Sequence, residues 1–94
     1  MSGSLKGLLI NVAGVVQGVG FRWFARRVAS QFGVNGYVRN LYDDSVEIYV
    51  EGEETALKAF LDEVRIGPHS AHVSNVRVNW TEFNGKYKDF RIEV

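Results

Sequence analysis

The chain contains no cysteine, which excludes disulfides, a thiolate nucleophile, thiolate zinc sites and iron–sulfur clusters. Stability must therefore come from packing. There is no excess of either charge: 11 Lys and Arg stand against 11 Asp and Glu. A general nucleic-acid binder carries a basic surplus that displaces counterions from phosphates, so no nucleic-acid partner is expected. No apolar run is long enough to span a bilayer. Lys6 followed by Gly7 to Ala13 is too short for a signal peptide, is broken by Asn11, and has a basic flank of a single lysine. We expect a cytoplasmic monomer without a membrane partner. No linker, repeat, low-complexity stretch or sign of truncation from a larger protein stands out, so residues 1–94 read as one domain. The core is affordable at this length. A composition 46% hydrophobic and 13% aromatic belongs to a globule, and a chain of this size buries roughly 60–65% of its unfolded surface.

The apolar residues change period six times along the chain. Leu8, Ile10 and Val12 alternate with Leu9 and Asn11, the pattern of a strand buried on most of both faces. Gly14 to Gly20 break that pattern. Phe21, Phe24, Ala25, Val28, Ala29 and Phe32 then fall at helical spacing, and Gly33 is placed to end the helix in a left-handed conformation. Gly36 to Leu41 and Ser45 to Glu51 read as two strands of a hairpin joined through Tyr42-Asp43-Asp44. Gly52 opens a second helix with the stripe Leu57, Phe60, Leu61 and Val64. Glu53 and Glu54 suit its N-terminus, and Gly67-Pro68 stop it. Val76, Val78 and Trp80 alternate in a fourth strand. After the turn signal Asn84-Gly85, residues Phe90, Ile92 and Val94 suggest a short fifth. The order βαββαβ implies an α+β ferredoxin-like sandwich, an antiparallel four- to five-stranded sheet with two helices on one face. That fold hosts many activities and decides none of them.

The chemistry concentrates in Val16-Gln17-Gly18-Val19-Gly20-Phe21-Arg22. Glycines between a strand and a helix permit backbone conformations that aim successive N–H groups into one concavity, a nest for an anion. The helix start near Phe21 adds unpaired donors and partial positive charge. Arg22 adds a fork of donors matched to phosphate oxygens. A P-loop would need Gly-Lys followed by Ser or Thr. A dinucleotide fingerprint would need a third glycine where Trp23 stands. The loop therefore reads as a phosphate site without provision for a nucleotide or magnesium.

Geometry brings Asn40 to the same end. The helix descends about 12 residues, roughly 18 Å, and the next strand climbs about 5–6 residues, roughly 17–20 Å. Asn40 shares the face of Val38. Its amide either satisfies backbone groups of the turn or donates to, and accepts from, a water held beside the phosphate. His69 and His72 lie in a loop after the second helix with no acidic third ligand. Trp23 and Tyr42 read as surface residues, and Arg26 and Arg27 as a solvated helix face. The serines form no triad pattern.

Val12-Ala13-Gly14-Val15-Val16-Gln17-Gly18-Val19-Gly20-Phe21-Arg22 resembles the first signature of the acylphosphatases. Gly36-Tyr37-Val38-Arg39-Asn40-Leu41-Tyr42-Asp43 resembles the second. Val46-Glu47, Gly52 and Gly67-Pro68 also fall where that family has them, so the resemblance covers nearly the whole chain. It implies a hydrolase of small acyl phosphates that needs no metal or other cofactor and forms no covalent intermediate. Arg22 and the amides of Val16 to Phe21 would hold the phosphate, and Asn40 would orient the attacking water. Two positions depart from the family. Asp44 stands where glycine is usual, and a left-handed aspartate costs ~1 kcal/mol more than glycine, so any rearrangement is expected in that turn, beyond Asn40. Val15 replaces a frequent arginine. Two other readings use the same scaffold. An RNA-recognition module needs basic and aromatic strands, but Ser45 to Glu51 is acidic. A non-catalytic phosphate-binding module would keep the loop without the turnover.

Overall fold

The computed structural model describes residues 4–94. The chain runs β1 (Leu5–Val15), α1 (Phe21–Phe32), β2 (Asn35–Asn40), β3 (Val46–Glu53), α2 (Glu54–Ile66), β4 (His72–Glu82) and β5 (Phe90–Glu93). The strands form one sheet in the order β4-β1-β3-β2-β5, with both helices packed on one face. This is the expected ferredoxin-like α+β sandwich.

The core lies between sheet and helices. Leu8, Ile10 and Val12 of β1, and Val46, Ile48 and Val50 of β3, meet Phe24, Ala25 and Val28 of α1 and Leu57, Phe60 and Val64 of α2, all buried. The helical stripes fall as their spacing predicts, and Gly33 ends α1 at φ 68°. β1 is buried on one face rather than both. Leu9 and Asn11 are only half-buried, because both helices pack on the other face and the back of this antiparallel region carries no full layer.

Three other expectations shift. β3 continues through Gly52, which pairs with Lys6, so α2 begins two residues later, at Glu54. The Glu54 carboxylate is held there by Lys6 at 3.4 Å and Lys58 at 3.0 Å. His72 opens β4 instead of lying in the loop before it. Asn84-Gly85 does not close a hairpin: β4 and β5 occupy opposite edges of the sheet, and β5 runs parallel to β2. The sheet is therefore mixed.

The segment between β4 and β5 crosses the back of the sheet. Buried Glu51 fixes it by accepting the N–H groups of Asn84 at 2.9 Å and Gly85 at 3.0 Å, and the Tyr49 hydroxyl at 2.6 Å. Tyr87 then packs on Tyr37 and Tyr49, with ring centroids 6.0 and 5.6 Å away. Burial, and then the Glu47 carboxylate that accepts its hydrogen bond, push the Tyr37 hydroxyl above its ordinary range. All this fastening sits at the end of the sheet opposite the glycine loop.

Candidate active site

The loop after β1 is anchored at both ends by apolar side chains. Val16 and Phe21 are each 1% exposed, and the Phe21 ring meets Phe24 edge-on at 5.6 Å. Their side chains belong to the core, so only their backbone can face a ligand. Between them, Gly18 and Gly20 take φ 74° and 79°, conformations that cost other residues roughly 1–2 kcal/mol. A Cβ at either glycine would meet nothing within 4 Å. Conformation, not crowding, requires glycine here, and the space above the loop is open. Gln17 and Val19 are half-buried.

α1 starts without a side-chain cap and without an acidic residue in its first turn. Its first backbone bond runs from Phe24 N–H to the Gly20 carbonyl at 3.0 Å. The N–H groups of Phe21, Arg22 and Trp23 precede that bond, and the helix dipole makes this end positive. Arg22 is half-buried in that first turn. Among the described residues it forms no ion pair, whereas Arg39 is paired with Glu47 at 3.0 Å and Arg91 with Asp89 at 3.1 Å. Helix N-terminus, open glycine loop and uncommitted guanidinium together favour an anion.

Asn40 is the last residue of β2 and pairs with Val46. Val46 pairs on its other side with Val12 of β1, so Asn40 and Val12 stand about 10 Å apart, two strand spacings. The glycine loop begins four residues beyond Val12 and reaches back. Gln17 Nε2 donates to the carbonyls of Leu41 at 2.9 Å and Ser45 at 2.8 Å. Loop and turn are thereby joined next to Asn40. The Asn40 Oδ1 is buried, and no protein group among the described residues donates to it.

The turn that follows Asn40 accommodates Asp44. Asp44 takes φ 72°, the left-handed conformation usually left to glycine, and its neighbours hold it there. Asp43 Oδ1 accepts the Ser45 N–H at 3.1 Å and also the Ser45 hydroxyl. Asn11 Nδ2 donates to Ser45 Oγ at 3.0 Å, and Leu41 N–H donates to the Ser45 carbonyl at 2.9 Å. The bonds from Ser45 hold the Asp43 carboxyl below its ordinary range. Sequence reasoning missed Ser45 and the Gln17 side chain. Ser45 falls outside the buried alternation of Val46, Ile48 and Val50, so no local pattern marked its burial, which follows from its bonds to Asn11 and Asp43.

The acylphosphatase family model matches residues 8–92. The chain belongs to the acylphosphatase family. The acylphosphatase of Thermotoga maritima is 55% identical over 95% of this chain and 98% of its own length. The crystal structure of acylphosphatase from Bacillus subtilis superposes with a TM-score of 0.91 at 35% identity, covering 97% of this chain and 100% of that one. Full-length HypF, solved in a phosphate- and nucleotide-bound form, carries the same unit: TM-score 0.85 at 33% identity over 97% of this chain, but only 12% of that protein. The protein is accordingly an enzyme that hydrolyses the carboxyl–phosphate bond of acyl phosphates.

Among the described residues of this acylphosphatase, no three His, Asp or Glu side chains lie close enough together to share an ion. His69 and His72 are both exposed. Trp23 is 67% exposed and Tyr42 fully so. The Arg26 guanidinium lies over the Trp23 ring at 5.6 Å, and that of Arg27 over the Phe24 ring at 5.8 Å. One cleft of about 340 Å³ is lined by Arg26, Gly33, Asn35 and Asp89, and another is lined by Trp23, Arg26 and Arg27 along α1. A phosphate held by backbone amides needs a concave peptide surface, not a deep cavity.

Proposed function

We propose that Arg22 and the backbone N–H groups of Val16 to Phe21 hold the phosphate of an acyl phosphate, and that Asn40 orients the attacking water. The observation that carries this reading is the buried Asn40 Oδ1, an acceptor without a protein donor among the described residues, at the strand end that Gln17 ties to the loop. A water hydrogen supplies the missing donor, and a buried acceptor left alone would be costly. The water oxygen bonds to phosphorus as the bond from phosphorus to the acyl oxygen breaks. The carboxylate leaves with the electron pair. A phosphate oxygen takes the water's proton, so the products are carboxylate and inorganic phosphate. A carboxylate is a good leaving group, and the step needs no protein acid. The protein supplies position and stabilises the charge on the transferring phosphoryl group.

This reading involves no metal, cofactor or nucleic acid, and treats residues 1–94 as one catalytic domain acting as a cytoplasmic monomer. Hydrolysis of benzoyl phosphate, followed by the loss of ultraviolet absorbance, tests it. Turnover should be unchanged by EDTA. A folded Arg22→Ala variant should show a raised KM and a lowered kcat, because the guanidinium serves both ground and transition states. Turnover abolished by EDTA would sink the metal-free mechanism, and an unimpaired Arg22→Ala would remove Arg22 from the site.

A further inference from the structure

The Gln17 side chain does more than its place in the phosphate loop requires. Its Nε2 spans the β2–β3 turn, donating to the Leu41 carbonyl at 2.9 Å and the Ser45 carbonyl at 2.8 Å. Leu41 and Ser45 are the two ends of that turn, already joined by the Leu41 N–H to Ser45 carbonyl bond of 2.9 Å. Two carbonyl oxygens can be satisfied by one NH2 group, because it carries two hydrogens. Asn40 immediately precedes Leu41. With no protein donor to its Oδ1 among the described residues, its amide sits where the backbone of β2 and the turn puts it.

We propose that Gln17 is a positioning residue: its side-chain amide sets the place of Asn40 relative to the phosphate loop, acting through the turn without touching substrate. The proposal rests on the reading that Asn40 orients the water. The loop does not need this side chain to keep its shape, since Val16 and Phe21 anchor its ends in the core and Gly18 and Gly20 set its path. Both bonds of this side chain go to the turn. Asp44 sits in a left-handed conformation, and Gln17 is the tie that reaches the turn from the loop side. A displacement of the Asn40 amide by ~1 Å would cost about a hundredfold in rate while leaving phosphate binding to the loop.

A double-mutant cycle tests this. Gln17→Met keeps the length and removes both donors. Its kcat for benzoyl phosphate should fall about 10- to 100-fold, with KM and inhibition by inorganic phosphate changed by less than about threefold, a loss confined to the transition state. In the Asn40→Ala background the same substitution should lower kcat by no more than about twofold, because residues acting as a unit are not additive. Gln17→Glu adds a second readout. Its neutral carboxyl can donate to one carbonyl and its ionised form repels both, so its relative kcat should rise as pH falls, with the carboxyl titrating above its ordinary range. Multiplicative losses in the double variant, a Gln17→Met defect confined to KM, or a Gln17→Glu profile parallel to that of the parent would each overturn the proposal. The pH profile carries the test if Gln17→Met does not fold. Full turnover by Asn40→Ala would instead remove the reading of Asn40, and this inference with it.

Discussion

Replacing Asn40 by alanine should separate activity from stability. The side chain stands at the end of β2 with a buried Oδ1 that no protein group among the described residues satisfies. Removing a preorganised group of this kind from charge-stabilising machinery costs about 10²–10³ in kcat, or roughly 2.7–4 kcal/mol of transition-state energy. Stability should hardly move. The water that donates to Oδ1 is released with the side chain, so what is lost is the packing of three heavy atoms at a half-buried position. The Asn40 backbone stays paired with Val46. The variant should therefore unfold within about 1 kcal/mol of the parent. For a domain this small, 1 kcal/mol corresponds to about 4–8 °C in Tm. Steady-state hydrolysis of benzoyl phosphate and urea titration, run on the same preparation, read both quantities. A variant that keeps its turnover and loses more than about 2 kcal/mol of stability would refute the reasoning. Asn40 would then be a residue that satisfies the turn, the other role open to it from sequence.

Four further outcomes follow from the geometry. Gly18→Ala has room for its methyl group but not the backbone conformation, so it should lose about 1–2 kcal/mol in urea titration and weaken inhibition by inorganic phosphate. Asp44→Gly relieves a left-handed aspartate at φ 72° but adds unfolded-chain entropy of similar size, so its urea midpoint should shift by the equivalent of less than about 0.5 kcal/mol. The Asp43 carboxyl is held below its ordinary range by Ser45, so its contribution is present above the unfolded-state value and is lost as pH falls through the folded-state one. Stability curves of the parent and Asp43→Asn should differ by a constant above pH ~5 and converge in acid. Glu51→Ala strips partners from the N–H groups of Asn84 and Gly85, so it should lower stability by about 1–3 kcal/mol or more while kcat and KM stay near those of the parent.

The local signals in the chain were reliable where one segment carries its own reason. The 3.6-residue stripe of α1, its glycine stop and the glycine loop before Arg22 are such cases, and each lies where the pattern puts it. The face shared by Val38 and Asn40 follows from strand periodicity alone. What stayed illegible depends on partners far along the chain. Gln17 meets Leu41 and Ser45 across 24 and 28 positions, and no local pattern marks a glutamine as a brace rather than a loop residue. Gly52 reads as a helix opener until its pairing with Lys6 draws it into β3. Asn84-Gly85 carries a hairpin signal, but Glu51, 33 and 34 positions away, captures both N–H groups and turns the segment across the sheet. β4 reads as an ordinary alternating strand, yet Val78 and Trp80 remain 38% and 39% exposed. They share the helix-side face with Val12, Ile10 and Leu8 of β1 but lie on an outer strand that the two helices only partly cover.

β1 is the N-terminal strand of this sheet and an interior one. β1 pairs with β3 at residues 46–53 and with β4 as far as Glu82. Neither neighbour exists while β1 leaves the ribosome, so Leu8, Ile10 and Val12 must wait for most of the chain to be synthesised before their face is covered. A fold whose centre depends on such distant pairings forms slowly compared with a helical bundle of equal size, since the loop-closure entropy falls due before the contacts that repay it. During that interval an apolar strand is open to other nascent chains. The basic Lys6 before that run and the polar Asn11 within it, with the charged Glu47 and Glu51 on its eventual partner, are the solubilising features the chain carries through this window.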